Sequence, residues 1–181
     1  MSEPIVLLTR AFESVSTLLL ESWNELGILS DTNQLSLSIP PALADSGLSY
    51  REQLAHGTGS FRLKKWPYRD TDYTHLITGF EYIQPLFDYA AKNGWKACRP
   101  MIRCLNPKTC LSYHADDAEC RFHIPLSTTW QAFFVVQDKV FRMQEVGSLY
   151  SLTTNVLHTA VNANLTKPRI HFTFSVYKES K

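Results

Sequence analysis

Six histidines occur in the 181-residue chain, and two of them have neighbours suited to holding a metal. His114 is followed two positions later by Asp116, and His158 lies far downstream near another predicted strand. Alternate residues of an extended chain point to one side, so His114 and Asp116 can reach a common ion. Two imidazoles and one carboxylate can cap one face of an octahedral Fe(II), leaving the opposite positions for substrate and oxygen. Taken alone, H-x-D is weak, because such a tripeptide often arises by chance and a lone strand histidine is usually an ordinary core or surface residue. Asp117 competes as the carboxylate, with the i+2 spacing favouring Asp116.

Arg169 opens the stretch Arg169-Ile170-His171-Phe172-Thr173-Phe174. Alternation places Ile170, Phe172 and Phe174 on one face and Arg169, His171 and Thr173 on the other. A guanidinium directed into a barrel interior is costly unless it meets an anion, and its planar fork suits a carboxylate. The plainer reading is a salt-bridged surface arginine. Arg121 and His123 likewise share a face opposite Phe122 and Ile124. Two basic side chains side by side need solvent or an anion, and the polar outer face of an edge strand would serve equally.

Weaker candidates surround these. Arg62, Lys64, Lys65 and Arg69 are interleaved with Phe61, Trp66 and Tyr68, a pattern that can grip an anionic substrate or stack on nucleic acid. A solvated loop whose aromatics pack on the domain is the commoner origin of such a run. His56-Gly57-Thr58-Gly59-Ser60 lacks the lysine and spacing of a phosphate loop. Arg103, Tyr113 and Trp130 flank the proposed site and fit either substrate contact or packing.

The elements that must carry these residues divide the chain. Phe12, Val15, Leu19, Trp23 and Leu26 recur at helical spacing, with Gly27 as a stop. Leu35, Leu37 and Ile39 alternate as a strand closed by Pro40-Pro41. Residues 42–72 show no clear periodicity and read as a long lid or substrate-facing loop. A second helix is predicted from Thr78 to Asn93, with Phe80, Ile83, Leu86, Phe87 and Ala90 inward. Short strands follow near 100–105, 110–114, 121–126, 131–137, 139–144, 147–152, 155–161 and 169–177. With no helical crossovers between them, they predict an antiparallel sandwich or jelly roll. The expectation is one domain over 1–181: a helical, substrate-facing part over 1–98 and a β core over 99–177.

Composition agrees with a folded domain. Hydrophobic residues make up 44% and aromatics 12%, enough to build a core and exclude wholesale disorder. Eighteen basic against seventeen acidic residues leave a charge of +1, so no global field selects nucleic acid or an anionic membrane. The early apolar run Ile5-Val6-Leu7-Leu8 is far short of a membrane span or an export signal. Cys98, Cys104, Cys110 and Cys120 show no zinc spacing and read as buried free thiols in a reducing, cytoplasmic setting.

The region 99–177 carries R-P-M-I-R-C-L-N-P-K-T, H-A-D-D-A-E-C-R-F-H-I-P-L, V-G-S-L-Y-S-L, N-V-L-H-T-A-V-N-A-N and K-P-R-I-H-F-T-F in that order. It resembles the aspartyl/asparaginyl β-hydroxylase-like group of Fe(II)/2-oxoglutarate oxygenases, which includes small proline hydroxylases. The resemblance implies a mainly β, cupin-like double-stranded β-helix buttressed by N-terminal helices. It implies His114, Asp116 and His158 as iron ligands, Arg169 at the distal carboxylate of 2-oxoglutarate, and Arg121 and His123 assisting at the cosubstrate's carboxylates. Fe(II), 2-oxoglutarate and O2 are the implied cofactors and cosubstrates, with ascorbate as reductant in vitro. The implied reaction is hydroxylation of an amino acid, free or within a peptide. Membrane-anchored members lack the acidic ligand and related halogenases replace it with a small residue, so Asp116 places this chain nearer the free-amino-acid hydroxylases. Oxidation of a nucleobase or small metabolite, or a non-catalytic cupin-like binding module, are the alternatives.

Overall fold

A strand whose residues alternate in chemistry must present two different faces, and the strand at the end of this chain decides how the molecule is layered. The structure, a computed structural model, describes residues 3–27, 33–58 and 67–178. Strand β12 (Arg169–Lys178) lies between β5 (Trp95–Leu105) and β7 (Cys120–Ser127) in a six-stranded sheet. β10 (Leu149–Thr153) and β1 (Ile5–Thr9) extend that sheet beyond β7, and β2 (Gln34–Ser36) pairs with the far side of β5. All neighbours are antiparallel. A four-stranded sheet, ordered β6 (Thr109–Cys110), β11 (His158–Asn162), β8 (Ala132–Val136) and β9 (Lys139–Phe141), makes the second layer. The result is the expected double-stranded β-helix, or jelly roll.

The outer face of the large sheet is apolar because alternate residues of each strand are. Ile170, Phe172, Phe174 and Val176 join Phe122, Ile124, Ile102 and Leu35 in one buried cluster. Helix α1 (Glu13–Leu26) covers it with Leu19, and α3 (Gln84–Lys92) with Leu86 and Ala90. Phe174 holds the layers in register, its ring centroid 5.4 Å from Phe122 and 5.7 Å from Phe87. Each such aromatic buries enough area to contribute roughly 1.5–3 kcal/mol relative to exposure. A second cluster fills the space between the sheets, with Ile5, Leu105, Tyr150 and Leu152 against Phe134, Val136 and Ala160.

The first third is more β-like than its sequence predicts. β1 is an unpredicted edge strand, built from the run Ile5-Val6-Leu7-Leu8 and paired with β10. The strand predicted over 35–39 is split: β2 pairs with β5, while β3 (Ser38–Ile39) turns away to pair with β4 (His75–Leu76). The second helix begins with a 3-10 turn at Glu81–Ile83, and its α-helical part starts at Gln84, with Pro85 in the first turn. Residues 42–72 are not a bare loop. Ser49 and Glu52 form a reciprocal capping box that starts α2 (Tyr50–Ala55), whose Leu54 reaches the main core. Among the described residues no helix is long and apolar enough to cross a membrane.

β5 is interrupted where it matters most. Its pairing with β12 shifts register between Thr173 and Ser175, a bulge that leaves Arg99 at φ 52° in the left-handed region. The kink aims Arg99 off the sheet, where Nη2 donates to the carbonyl of Gly57 at 2.8 Å and Nη1 pairs with Asp70.

The four cysteines are unpaired, as expected, but not uniformly buried. Cys98 and Cys120 are buried, Cys104 is half-buried and Cys110 is exposed at the short strand β6.

Candidate active site

Backbone pairing brings the predicted metal ligands together. His114 and His158 form an isolated antiparallel bridge, each amide donating to the other's carbonyl at 3.1 and 2.9 Å. The chain then bends inward, and the Asp116 amide donates to the carbonyl of Thr154 at 2.7 Å. Thr154 is fixed in turn by its hydroxyl, which donates to the carbonyl of Ala118 at 2.7 Å. Residues 111–116 are thus ordered by a bridge and a backbone contact, not by the regular strand predicted over 110–114.

One ligand atom from each of His114, Asp116 and His158 lies within 4.8 Å of the others. Both rings are oriented alike. Nδ1 of His114 lies 2.7 Å from the carbonyl of Ser112, and Nδ1 of His158 lies 2.8 Å from that of Val156. A carbonyl only accepts, so each Nδ1 carries the proton and each Nε2 keeps its lone pair for a metal. The His114 Nε2 atom is 3.7 Å from Asp116 Oδ1. Burial pulls the His158 imidazole below its usual range, with the Val156 carbonyl and Asp116 opposing that shift. Two imidazoles presenting Nε2 and a carboxylate, with an open side, match the donor set of non-haem Fe(II). Asp117 is exposed and takes no part in this cluster.

A cavity of about 70 Å³ runs inward from these ligands between the sheets, lined by Arg121, His123, Arg169, His171 and Thr173. Arg121 and His123 are buried, so the alternative of an outer polar edge is overturned. Arg169 is buried as well, against the alternative of a surface salt bridge. Its Nη2 donates to Nδ1 of His171 at 3.1 Å, and its guanidinium carbon lies 4.4 Å from the Phe134 ring centroid. It forms no salt bridge among the described residues, and burial pulls its pKa down to about 9.

Polar atoms around that guanidinium have no hydrogen-bond partner among the described residues: both ring nitrogens of His123, Nε2 of His171 and Oγ1 of Thr173. Burial first, and Arg169 second, hold both imidazoles neutral, well below their usual range. Since His171 Nδ1 accepts from Arg169, its Nε2 bears a proton to give. A buried cation ringed by unsatisfied donors fits a carboxylate.

Arg121 has a further task. Its Nη2 lies 2.9 Å from Asp116 Oδ2 and 3.5 Å from Asp70 Oδ2, so it already faces two carboxylates. Asp70 is a site residue that the sequence reading missed. Its partners Arg99, Arg121 and Ser175 are distant in the chain, and no local pattern marks it. Burial alone would raise the Asp70 carboxyl, but Arg99 and Arg121 outweigh that and hold it below the usual carboxylate range.

On the other side of Asp116 and Arg121 lies a wider crevice, lined by Tyr68, Arg69, Thr71, Asp117 and Tyr177. Of the flanking candidates, Arg103 lines the inner cavity. Tyr113 is exposed, and Trp130 stands on the surface with the Arg142 guanidinium 4.3 Å from its ring. Gly57 serves as a carbonyl acceptor for Arg99. Phe61, Arg62, Lys64, Lys65 and Trp66 lie outside the described residues, as do Gly59 and Ser60.

Similar architecture recurs in solved proteins. The prolyl hydroxylase of Trichoplax adhaerens, solved with a hypoxia inducible factor oxygen degradation domain peptide fragment, shares 13% identity over 98% of this chain and 84% of its own, with a TM-score of 0.57. The viral collagen prolyl hydroxylase of Paramecium Bursaria Chlorella virus-1 shares 8% over 98% and 91%, at 0.55. A Pseudomonas putida prolyl-4-hydroxylase shares 10% over 99% and 95%, at 0.52. Likeness at these identities establishes the fold. No curated protein matches by sequence. The family model described as Aspartyl/Asparaginyl beta-hydroxylase matches residues 69–179, from the crevice loop through β12. That match spans more than half of the chain and takes in both the ligand cluster and the arginine cavity, and the chain therefore belongs to the aspartyl/asparaginyl β-hydroxylase family.

Proposed function

We propose that this hydroxylase uses Fe(II) and 2-oxoglutarate to hydroxylate a C–H bond of an amino acid, free or within a peptide. His114, Asp116 and His158 would hold the iron. Arg169 would bind the distal carboxylate of 2-oxoglutarate, with His171, Thr173 and His123 supplying hydrogen bonds. The observation that carries the reading is the pairing, in one cavity, of a His–Asp–His cluster with a buried guanidinium that has no counter-ion among the described residues. When bound, iron and 2-oxoglutarate supply the activation of O2 that hydroxylates an unactivated C–H bond, with succinate and CO2 as coproducts.

The chain's own residues would position and shield. The carbonyls of Ser112 and Val156 hold the two imidazoles in the tautomer that ligates. Leu152 and Ala160 give the cavity one apolar wall beside the ligand cluster. The crevice beyond Asp116, lined by Tyr68, Arg69, Asp117 and Tyr177, gives substrate an approach opposite the cosubstrate. Substrate choice would rest there, with residues 1–98 contributing the loop that carries Tyr68 and Arg69. The unpaired thiols fit a reducing compartment such as the cytoplasm.

The test is Fe(II)-dependent conversion of 2-oxoglutarate to succinate with ascorbate present, across a panel of amino acids and peptides, with mass spectrometry for the gain of one oxygen atom. Succinate formation that requires iron and rises with one substrate is expected. A protein that binds metal yet forms no succinate with any of them would be a cupin-like binding module.

A further inference from the structure

The carboxylate of Asp116 is not held by its own backbone neighbourhood alone. Its Oδ2 meets Nη2 of Arg121 at 2.9 Å, and that same nitrogen lies 3.5 Å from Oδ2 of Asp70. Asp70 is in turn fixed from two further directions. Ser175 Oγ donates to its Oδ2 at 2.9 Å, and Arg99 pairs with Oδ1. Arg99 reaches it only because the β5 bulge puts that residue at φ 52°, and its other terminal nitrogen is tied to the Gly57 carbonyl. Four charged groups therefore alternate in sign: Arg99, Asp70, Arg121, Asp116. Arg99 and Arg121 are buried, and the side chains of Asp70 and Asp116 are 18% and 14% exposed.

Resting on the metal reading of Asp116, we propose that Asp70 is a positioning residue. By fixing Arg121, it sets the orientation in which Asp116 presents its other oxygen, Oδ1, towards His114 and the metal. Without Asp70, Arg121 would keep one carboxylate partner and be free to draw Asp116 fully into a bidentate pair, away from the ion. Asp70 also opens the 3-10 turn Asp70–Asp72, next to Tyr68 and Arg69 on the crevice wall. The chain of charges thus ties the substrate-facing loop to a metal ligand. Outer partners of ligating carboxylates commonly change metal affinity by about 10–100-fold when removed.

The experiment uses the full chain and Co(II) as probe, reading its Kd by titration and the visible d–d spectrum of the bound ion. Asp70→Asn should weaken Co(II) binding by about tenfold or more and shift the d–d bands, while Asp70→Glu, which restores the charge, should recover most of the affinity. A purely structural role would lower Tm without moving the spectrum. Folded Asp70→Asn with Kd within about twofold of wild type and an unchanged spectrum overturns the inference. If Asp70→Asn does not fold, Ser175→Ala decides, since it removes the hydroxyl that donates to Asp70 Oδ2: a weaker Co(II) Kd with shifted d–d bands supports the inference, and an unchanged Kd with unshifted bands overturns it. Failure of the wild-type chain to bind Co(II) would instead bring down the metal reading and this inference with it.

Discussion

Arg169 Nη2 lies 3.1 Å from Nδ1 of His171, two residues along the same strand, and neither side chain meets a carboxylate among the described residues. A guanidinium and a neutral imidazole held this way form a ready donor array for an anion. Replacing Arg169 with Ala should weaken 2-oxoglutarate binding by about tenfold or more, because a charge-assisted hydrogen bond contributes about 1.5–3 kcal/mol. In thermal-shift titrations Arg169→Ala should need about tenfold or more 2-oxoglutarate to reach the Tm rise of the wild type. Equal shifts in both proteins would place the carboxylate clamp elsewhere.

Asp116→Ala and His158→Ala should each abolish iron-dependent succinate formation while leaving a folded protein. The His114–His158 bridge is made by backbone atoms that survive either change. Circular dichroism and Tm report the fold, and stopped succinate release reports the site. Full turnover by either variant would remove that residue from the ligand set.

Acid should destabilise the protein through His123 and His171. Both are buried neutral, with burial the largest cause and Arg169 the next. Their folded pKa values lie below the unfolded value of about 6.5, so the unfolded chain binds more protons below that pH. Stability is therefore unaffected above about pH 6.5 and falls as pH drops below it. Tm measured from pH 7.5 down to about 5 should decline, and less steeply in a His123→Gln, His171→Gln double variant. Parallel profiles would show that other groups set the acid limit.

Thiol reactivity should separate the four cysteines. Burial, reinforced by the Asp70 charge, pushes the Cys98 thiol up to about 12, and burial also raises Cys120. The thiolate is the reactive form, so both should resist iodoacetamide in the native state while exposed Cys110 is alkylated. Peptide mapping reads the outcome directly. Native labelling of Cys98 ahead of Cys110 would contradict the packing.

What could be read from sequence follows the reach of each signal. Period-two alternation across 169–174 separates cavity residues from core residues without any knowledge of partners, and the structure keeps that separation. The helix predicted from Phe12 to Leu26 succeeds for the same reason, since its apolar stripe faces one sheet. β1 escapes because an unbroken apolar run on an edge strand carries no alternation. Six residues are too few for α2 to show a helical period, although Ser49 and Glu52 at capping-box spacing mark its start. Asp70 is the instructive omission. Its three partners lie on β5, β7 and β12, and only the folded sheet brings them together.

The strict alternation of β12 makes strand length itself a constraint. Deleting one residue within Arg169–Thr173 would exchange its two faces, sending aromatic rings towards the His114–Asp116–His158 cluster and the His171 imidazole into the oily layer beneath the helices. Substitutions can retune this cavity position by position, whereas single-residue insertions or deletions in the strand would destroy chemistry and folding together.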